Sequence, residues 1–109
     1  MIETLIAQER KIVTAIPGPN SQALHKRRLS AVSGGVGATL PVYIEAAHGA
    51  ILIDADGNQI IDLGAGIGVM SIGHTNEQVV AAVQEQVAKL THTLFALTPY
   101  ENYVEVCEF

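Results

Sequence analysis

The chain has 109 residues and a net charge of −5, and it is 49% hydrophobic but only 16% charged. This length supports one small domain with a modest core. The apolar run over residues 63–73 is too short and too rich in glycine to span a bilayer, so no membrane partner is expected. Because a soluble domain usually carries roughly a quarter charged residues, the low charge indicates that something else covers part of this surface.

The charge is unevenly distributed along the chain. Residues 1–28 carry a net charge of +3, whereas residues 29–109 carry −8. A basic arm can bind nucleic acid, but this one is short and no aromatic side chain is interleaved with its cations. We therefore expect a solvated or salt-bridged surface there, and no nucleic-acid partner.

The cysteine content and the N-terminus indicate the compartment. Cys107 is the single cysteine of the sequence, which excludes an internal disulfide and fits a reducing environment. Residues 1–11 lack the apolar core of a signal peptide. We expect a cytoplasmic protein.

The first forty residues predict an arm followed by a short helix. Residues 8–16 have an extended pattern, and the Pro-Gly-Pro-Asn run at residues 17–20 interrupts regular structure. Ser21 is the expected N-cap of a helix over residues 22–32. The glycine-rich residues 33–37 end that helix.

An antiparallel meander is predicted next. Two turn signals, His48-Gly49 and Asp56-Gly57, separate three short apolar runs. Connections this short join antiparallel neighbours, and Asp and Gly accept the left-handed backbone that tight turns need. The predicted strands are residues 42–47, 50–54 and 59–63.

A glycine cluster, Gly64-Ala65-Gly66-Ile67-Gly68, follows the meander. Glycines at every second position would leave one face of an extended backbone bare, so that a ligand or another chain segment could come close. Ile67 is then the bulky side chain that a ligand would meet. An ordinary core isoleucine is an equally good interpretation of the residue alone.

An amphipathic helix is predicted after this cluster. Thr75 or Asn76 is its expected N-cap, and it runs to about Leu90. Its apolar residues recur at helical spacing and form one stripe, with the charged residues on the opposite face.

The last predicted helix has a strong start signal, with Thr98 as N-cap, Pro99 at the first position and Glu101 at the third. Cys107 lies on its apolar face, so we expect a packing residue rather than a nucleophile. The helix has no capping sequence before Phe109. That pattern predicts a longer polypeptide.

The residues do not predict a self-sufficient active site. Residues 68–75 approach the phosphate-binding pattern GxxxxGK[ST], but His74 stands where that motif needs a lysine, so no nucleotide site is expected. The four histidines have no metal-ligand spacing, and Cys107 is not near any of them in sequence, so no metal site is expected. No Ser/His/Asp or Cys/His arrangement can be assembled from these residues.

Several motifs together resemble the N-terminal segment of class III pyridoxal-phosphate aminotransferases. The ordered set is fairly specific and covers most of the chain, although no single element decides it. The motifs are DADGN at residues 54–58, DLGAGIGV at 62–69, GH at 73–74, VVAAVQEQ at 79–86 and THT at 91–93. IPGP at residues 16–19, SQAL at 21–24 and TPYE at 98–101 resemble the 4-aminobutyrate branch. Glu77 departs from the proline of many relatives, but it suits the positive end of a helix dipole.

The resemblance implies an α/β fold, namely the N-terminal part of the type I aminotransferase fold. Residues 1–40 would be an N-terminal arm and short helix. Residues 41–98 would be the meander and the amphipathic helix of the small domain. Residues 99–109 would begin a truncated helix that leads to a large domain outside this chain.

The resemblance also implies an activity and its cofactor. The amino group of 4-aminobutyrate would move to 2-oxoglutarate, giving succinic semialdehyde and glutamate, with pyridoxal 5'-phosphate as cofactor and a homodimer as the assembly. The family lysine, the aspartate under the pyridine nitrogen and the main phosphate-binding loop lie downstream of this segment. Since Lys11, Lys26 and Lys89 do not match the context of that lysine, the chain alone is expected to be inactive, with no catalytic, cofactor-binding or metal residue.

By the same resemblance, the expected substrate-binding residues are Gly66, Ile67, Phe95 and Ala96. Two alternatives stay open at this point. Ornithine- and acetylornithine-type relatives share the glycine stretch, so a different ω-amino acid could be the substrate. A small non-catalytic binding module that ends at Phe109 is the alternative from another class of protein.

Overall fold

The computed structural model describes residues 6–109 and divides the chain into two compact units, one ending at Asn76 and the other Glu77–Phe109. In the first unit the elements are helix α1 (Pro19–Ala31), strands β1 (Ile44–His48), β2 (Ile51–Asp54) and β3 (Gln59–Ile61), and the short helical turn α2 (Ala65–Gly68). The second unit contains helices α3 (Glu77–Lys89) and α4 (Glu101–Glu108). None of the helices within residues 6–109 is long and apolar enough to cross a membrane.

The sheet is the predicted antiparallel meander, with strand order β1-β2-β3. At its centre Ile51 pairs with His48 on one side and Ile61 on the other. A register shift at Glu45 kinks β1. The third strand stops at Ile61, two residues before the predicted end, because the next residue, Asp62, uses its side chain to start a turn.

The described part of the N-terminal arm is held against the meander by hydrogen bonds. Lys11 and Gln59 exchange both backbone hydrogen bonds, at 3.1 and 2.7 Å. The amide of Gln8 donates to the carbonyl of His48 at 3.0 Å and accepts from the N–H of Ala50 at 3.0 Å. These bonds hold the described part of the arm along the sheet, with Lys11 in a strand-like bridge, but bends at residues 8–9, 14 and 16 interrupt the extended segment predicted there.

The interior of this unit is unusually polar. Among residues 6–109 the buried hydrophobic residues are Ile6 and Ile51, whereas Ser21, Asp54 and Asn58 are completely buried. Many large apolar side chains are exposed instead. Buried polar groups cost free energy unless they are paired, so hydrogen bonds must hold this unit together.

Asn58 is the centre of that polar interior. Its Oδ1 accepts from the N–H groups of Val13 and Thr14 at 2.8 and 2.9 Å. Its Nδ2 donates to Thr14 Oγ1 and to Asp54 Oδ2, both at 2.8 Å. All four hydrogen-bonding positions of the amide are used, which ties the arm to the β2–β3 turn.

Helix α1 does not begin where the sequence predicted. Ser21 is not its N-cap: the helix starts at Pro19 and Gly18 is the N-cap residue. Ser21 lies inside the first turn, where its N–H donates to Asp56 Oδ2 at 2.9 Å and its Oγ accepts from the N–H of Tyr43 at 3.3 Å. The prediction failed because the capping carboxylate comes from a distant residue.

In the second unit, α3 matches the prediction to within a residue at its end, while α4 starts later than predicted. Thr98 and Pro99 lie before α4, and Tyr100 is its N-cap residue. Thr98 belongs to the preceding turn, where its N–H donates to the carbonyl of Leu94 at 3.0 Å and its carbonyl accepts from Thr93 Oγ1 at 2.8 Å. Cys107 is exposed in this chain. Its burial in a longer protein stays a prediction.

Candidate functional site

The glycine cluster forms a left-handed turn, so the predicted extended backbone at this point is wrong. Residues Ala65, Gly66, Ile67 and Gly68 have φ angles of 47°, 61°, 62° and 77°. Glycine adopts these angles without strain, but a non-glycine residue pays about 1–2 kcal/mol. The glycines at positions 66 and 68 therefore allow the positive φ angles of the turn, rather than a close approach of chain segments.

Backbone hydrogen bonds close this turn and leave Ile67 outside it. The N–H of Ile67 donates to the carbonyl of Gly64 at 2.8 Å, and the N–H groups of Val69 and Met70 donate to Ala65 at 2.8 and 2.9 Å. The side chain of Ile67 is 99% exposed in this chain. An isoleucine with positive φ and a fully exposed side chain is an unusual combination, and strained residues of this kind cluster at ligand sites.

A carboxylate holds the entrance of the turn. Asp62 follows β3, and its Oδ1 accepts from the N–H groups of Gly64 at 2.9 Å and Ala65 at 2.8 Å. Its Oδ2 lies 2.6 Å from Nε2 of His74. In the sequence, Asp62 was singled out as the first residue of the family motif DLGAGIGV, and His74 for standing where a P-loop needs a lysine. The sequence carried no signal that the two side chains would meet.

The hydrogen bond from His74 is the largest cause that lowers the pKa of Asp62 below its ordinary value. The N–H of Ala65 lowers the pKa further, partial desolvation opposes this, and the N–H of Gly64 adds a smaller lowering. The carboxylate is therefore ionised at neutral pH and can only accept. It follows that Nε2 of His74 carries the hydrogen of this bond.

The backbone of His74 is fixed as well. His74 and Gly49 exchange both backbone hydrogen bonds, at 2.9 and 3.0 Å. A Cβ on the preceding Gly73 would lie 3.3 Å from the backbone of Gly49, so this close pairing leaves little room for a side chain. His74 is thus held on the β1–β2 hairpin, while Asp62 binds the glycine turn.

The other two predicted substrate residues lie in the second unit. Phe95 is half-buried, with its ring edge-to-face against Tyr100 and Tyr103 at centroid distances of 5.4 and 4.7 Å. Ala96 is exposed. Gly66 and Ile67 lie in the first unit, so the four predicted substrate residues form two sequence-adjacent pairs in different units.

The described residues do not form a complete site for pyridoxal phosphate. The three lysines, Lys11, Lys26 and Lys89, are all exposed, and Lys89 forms an ion pair with Glu85 one helical turn away. A lysine that binds a cofactor covalently needs an enclosed, partly desolvated position. Residues 6–109 also contain no group of His, Cys, Asp or Glu that could hold a metal ion.

Comparison with known proteins decides the family. The sequence model of the family described as aminotransferase class III matches residues 32–109. The chain belongs to the class III aminotransferase family. Members of this family depend on pyridoxal phosphate, which is therefore the expected cofactor.

Among curated class III aminotransferases, the chain is 57% identical over 103 residues to the 4-aminobutyrate aminotransferase of Mycobacterium tuberculosis. That match covers 94% of this chain and 23% of the relative, so the chain spans about a quarter of the relative's length. It is also 44% identical over 88 residues to a 5-aminovalerate aminotransferase of Pseudomonas putida, covering 81% of this chain and 21% of the relative.

Solved structures of aminotransferases share the fold. The ornithine delta-aminotransferase of Plasmodium falciparum superposes with a TM-score of 0.71 at 20% identity, over 81% of this chain and 22% of that one. An ornithine aminotransferase of Toxoplasma gondii superposes with a TM-score of 0.64 at 32% identity, over 70% of this chain and 18% of that one. The expected N-terminal part of the aminotransferase fold is confirmed.

Proposed function

We propose that this chain is the N-terminal part of an enzyme that transfers the amino group of 4-aminobutyrate to 2-oxoglutarate, giving succinic semialdehyde and glutamate. The observation that carries the proposal is the 57% identity, across 94% of the chain, to relatives named for this substrate. The glycine turn with its exposed aliphatic side chain is compatible with it, because 4-aminobutyrate presents a run of methylene groups to its pocket.

In this proposal residues 6–40 form an N-terminal arm and short helix; residues 1–5 of the predicted arm lie outside the described residues. The meander and α3, within residues 41–98, belong to a small domain. Residues 99–109 lead toward a large domain that supplies the lysine and the phosphate-binding loop. Pyridoxal phosphate supplies the electron sink for amino transfer when it is bound. The enzyme would be a cytoplasmic homodimer.

The contribution of this segment would be to shape the substrate pocket. Ile67 supplies an aliphatic wall, and Gly66 keeps the neighbouring backbone free of a side chain. Phe95 and Ala96, in the second unit, are the other two proposed substrate-binding residues. The exposure of Ile67, its positive φ and its place among glycines support this assignment.

A second candidate substrate is 5-aminovalerate, which is one methylene longer. The 44% identity to the Pseudomonas putida relative named for it favours this candidate over substrates with more distant chemistry. A single methylene in a hydrophobic pocket changes the ratio of kcat/KM between two substrates by only about 10- to 200-fold. Small changes in the pocket wall can therefore reverse the preference between 4-aminobutyrate and 5-aminovalerate.

The experiment is a steady-state assay of the full-length protein loaded with pyridoxal phosphate. Glutamate formation from 2-oxoglutarate is measured with 4-aminobutyrate, 5-aminovalerate, ornithine and acetylornithine as amino donors. The proposal predicts the highest kcat/KM for 4-aminobutyrate. A higher value for 5-aminovalerate or ornithine would make this segment part of a different ω-aminotransferase. Absence of transfer from all four donors would favour the non-catalytic alternative.

A further inference from the structure

The side chains of Asp62 and His74 form a contact that the proposed function does not yet use. Both are largely enclosed, with 12% and 18% of the side chain exposed. One carboxylate oxygen binds two N–H groups at the entrance of the glycine turn, and the other binds His74. The pair therefore joins the turn to the β1–β2 hairpin, on which the backbone of His74 is paired with Gly49.

The turn needs such a connection because its own backbone is unfavourable. Ala65 and Ile67 both adopt left-handed angles, at about 1–2 kcal/mol each. A conformation of this kind persists only where surrounding contacts over-determine it. The bonds from Asp62 end at Ala65, just two residues before Ile67, so they act directly on the segment that presents this side chain.

We propose that Asp62 and His74 are positioning residues that hold the left-handed turn, and that this sets how far the Ile67 side chain reaches into the pocket and so the length of ω-amino acid accepted. This inference rests on the proposed function for its substrate. Neither residue has to touch the substrate. His74 holds the carboxylate in the orientation that keeps the turn closed.

The test uses the full-length enzyme with its cofactor and compares His74→Met with His74→Gln. The two replacements have nearly the same length, but only glutamine keeps an N–H donor that can reach Asp62. His48→Met is the matched control, since Nδ1 of His48 contacts Thr75 Oγ1 at 2.8 Å and not the turn. The readout is the ratio of kcat/KM for 4-aminobutyrate to that for 5-aminovalerate, which is independent of the fraction of active protein.

We expect the ratio to fall about tenfold in His74→Met, the lower end of what one methylene is worth in such a pocket. His74→Gln should restore most of the ratio, and His48→Met should leave it unchanged. An unchanged ratio in His74→Met, or equal losses on both substrates in His74→Met and His48→Met, would overturn the inference, since both are what a general stabilising role predicts.

Two further measurements keep the result decisive. If His74→Met does not fold, Asp62→Ser replaces it, because serine can still accept from Gly64 and Ala65 but cannot reach His74. If the wild type acts on neither substrate, the proposed function is wrong. Hydrogen exchange of residues 62–70 then tests whether the pair holds the turn: faster exchange in His74→Met but not in His74→Gln supports that role, and equal exchange in the wild type and His74→Met overturns the inference.

Discussion

Gly18 leaves the space that the side chain of Asp56 fills at the start of α1. A Cβ at Gly18 would lie 2.4 Å from Cγ of Asp56, although the backbone there, with φ of −78°, suits any residue. Asp56 Oδ1 and Oδ2 accept from the N–H groups of Asn20 at 2.7 Å and Ser21 at 2.9 Å. A carboxylate from the β2–β3 turn thus caps a helix about 36 residues earlier in the chain.

Gly18→Ala is expected to destabilise the first unit through this lack of space. The added methyl group must displace Asp56 or the start of α1, and such overpacking costs typically about 1–3 kcal/mol. The measurement is native-state hydrogen exchange of the α1 amides in the full-length protein. Gly37→Ala is the matched control, because a Cβ at Gly37 meets nothing within 4 Å. Equal protection of α1 in the two variants would contradict the steric role of Gly18.

Asp56 should also make stability depend on pH. Partial desolvation raises the pKa of Asp56, but the N–H groups of Ser21 and Asn20 outweigh it, so the pKa lies below its ordinary value of 3.8. A lowered folded-state pKa means that the stabilisation is present above the unfolded pKa and is lost as the pH falls through the folded one. Most of the loss should therefore occur below pH 3.8.

The measurement compares the thermal unfolding midpoint of the wild type and Asp56→Asn as the pH is lowered. Because asparagine does not titrate, the difference in unfolding midpoint between the wild type and Asp56→Asn should shrink as the pH falls below the ordinary carboxyl range. The same difference in unfolding midpoint at every pH would show that the charge of Asp56 does not contribute to stability.

Asn58 should be the most sensitive residue of the polar interior. Asn58→Ala leaves the N–H groups of Val13 and Thr14 without their acceptor, at about 1–3 kcal/mol for each buried group that stays unpaired. Asn58→Asp keeps the shape but places a carboxylate oxygen against Asp54, 2.8 Å away in the wild type, so it should also destabilise.

The free energy of unfolding of the first unit is measured for both Asn58 variants by urea titration, with hydrogen exchange as the probe of unfolding. Asn20→Ala is the control, since Asn20 is exposed and its Nδ2 makes one bond, to Ala55 at 2.9 Å. A wild-type stability for Asn58→Asp would show that the volume of Asn58 matters and its amide hydrogens do not.

Local patterns predicted the elements of this chain well where neighbours in sequence decide the structure. The meander follows from apolar runs and two short turns, and α3 follows from an apolar stripe at helical spacing. The start of α1 escaped prediction because its cap, Asp56, is distant in sequence. Asn58 lies between β2 and β3 next to the predicted Asp56-Gly57 turn, but its bonds to Val13 and Thr14 have no local signature.

The sequence predicted an extended conformation for the glycine segment that carries the candidate site, and the structure shows a left-handed turn there. Alternating glycines match the two-residue period of a strand, and placing Ala65 and Ile67 in left-handed angles is locally unfavourable. The bonds from Asp62 that accompany these angles reach only two and three residues, and an aspartate just after a strand is the signal that could have indicated them.

The most direct test of the account is the kcat/KM of Ile67→Tyr for 4-aminobutyrate in the full-length enzyme. The replacement removes the β-branched side chain at this positive φ, so a loss of activity with the fold retained reports on the pocket. The account predicts a loss of about 10- to 200-fold with cofactor content and fold retained. Ile72→Tyr, at an exposed isoleucine outside the turn, should keep wild-type activity. Wild-type kcat/KM for Ile67→Tyr across ω-amino acids of different length, or unfolding of this variant alone, would contradict the assignment of Ile67 to the substrate pocket.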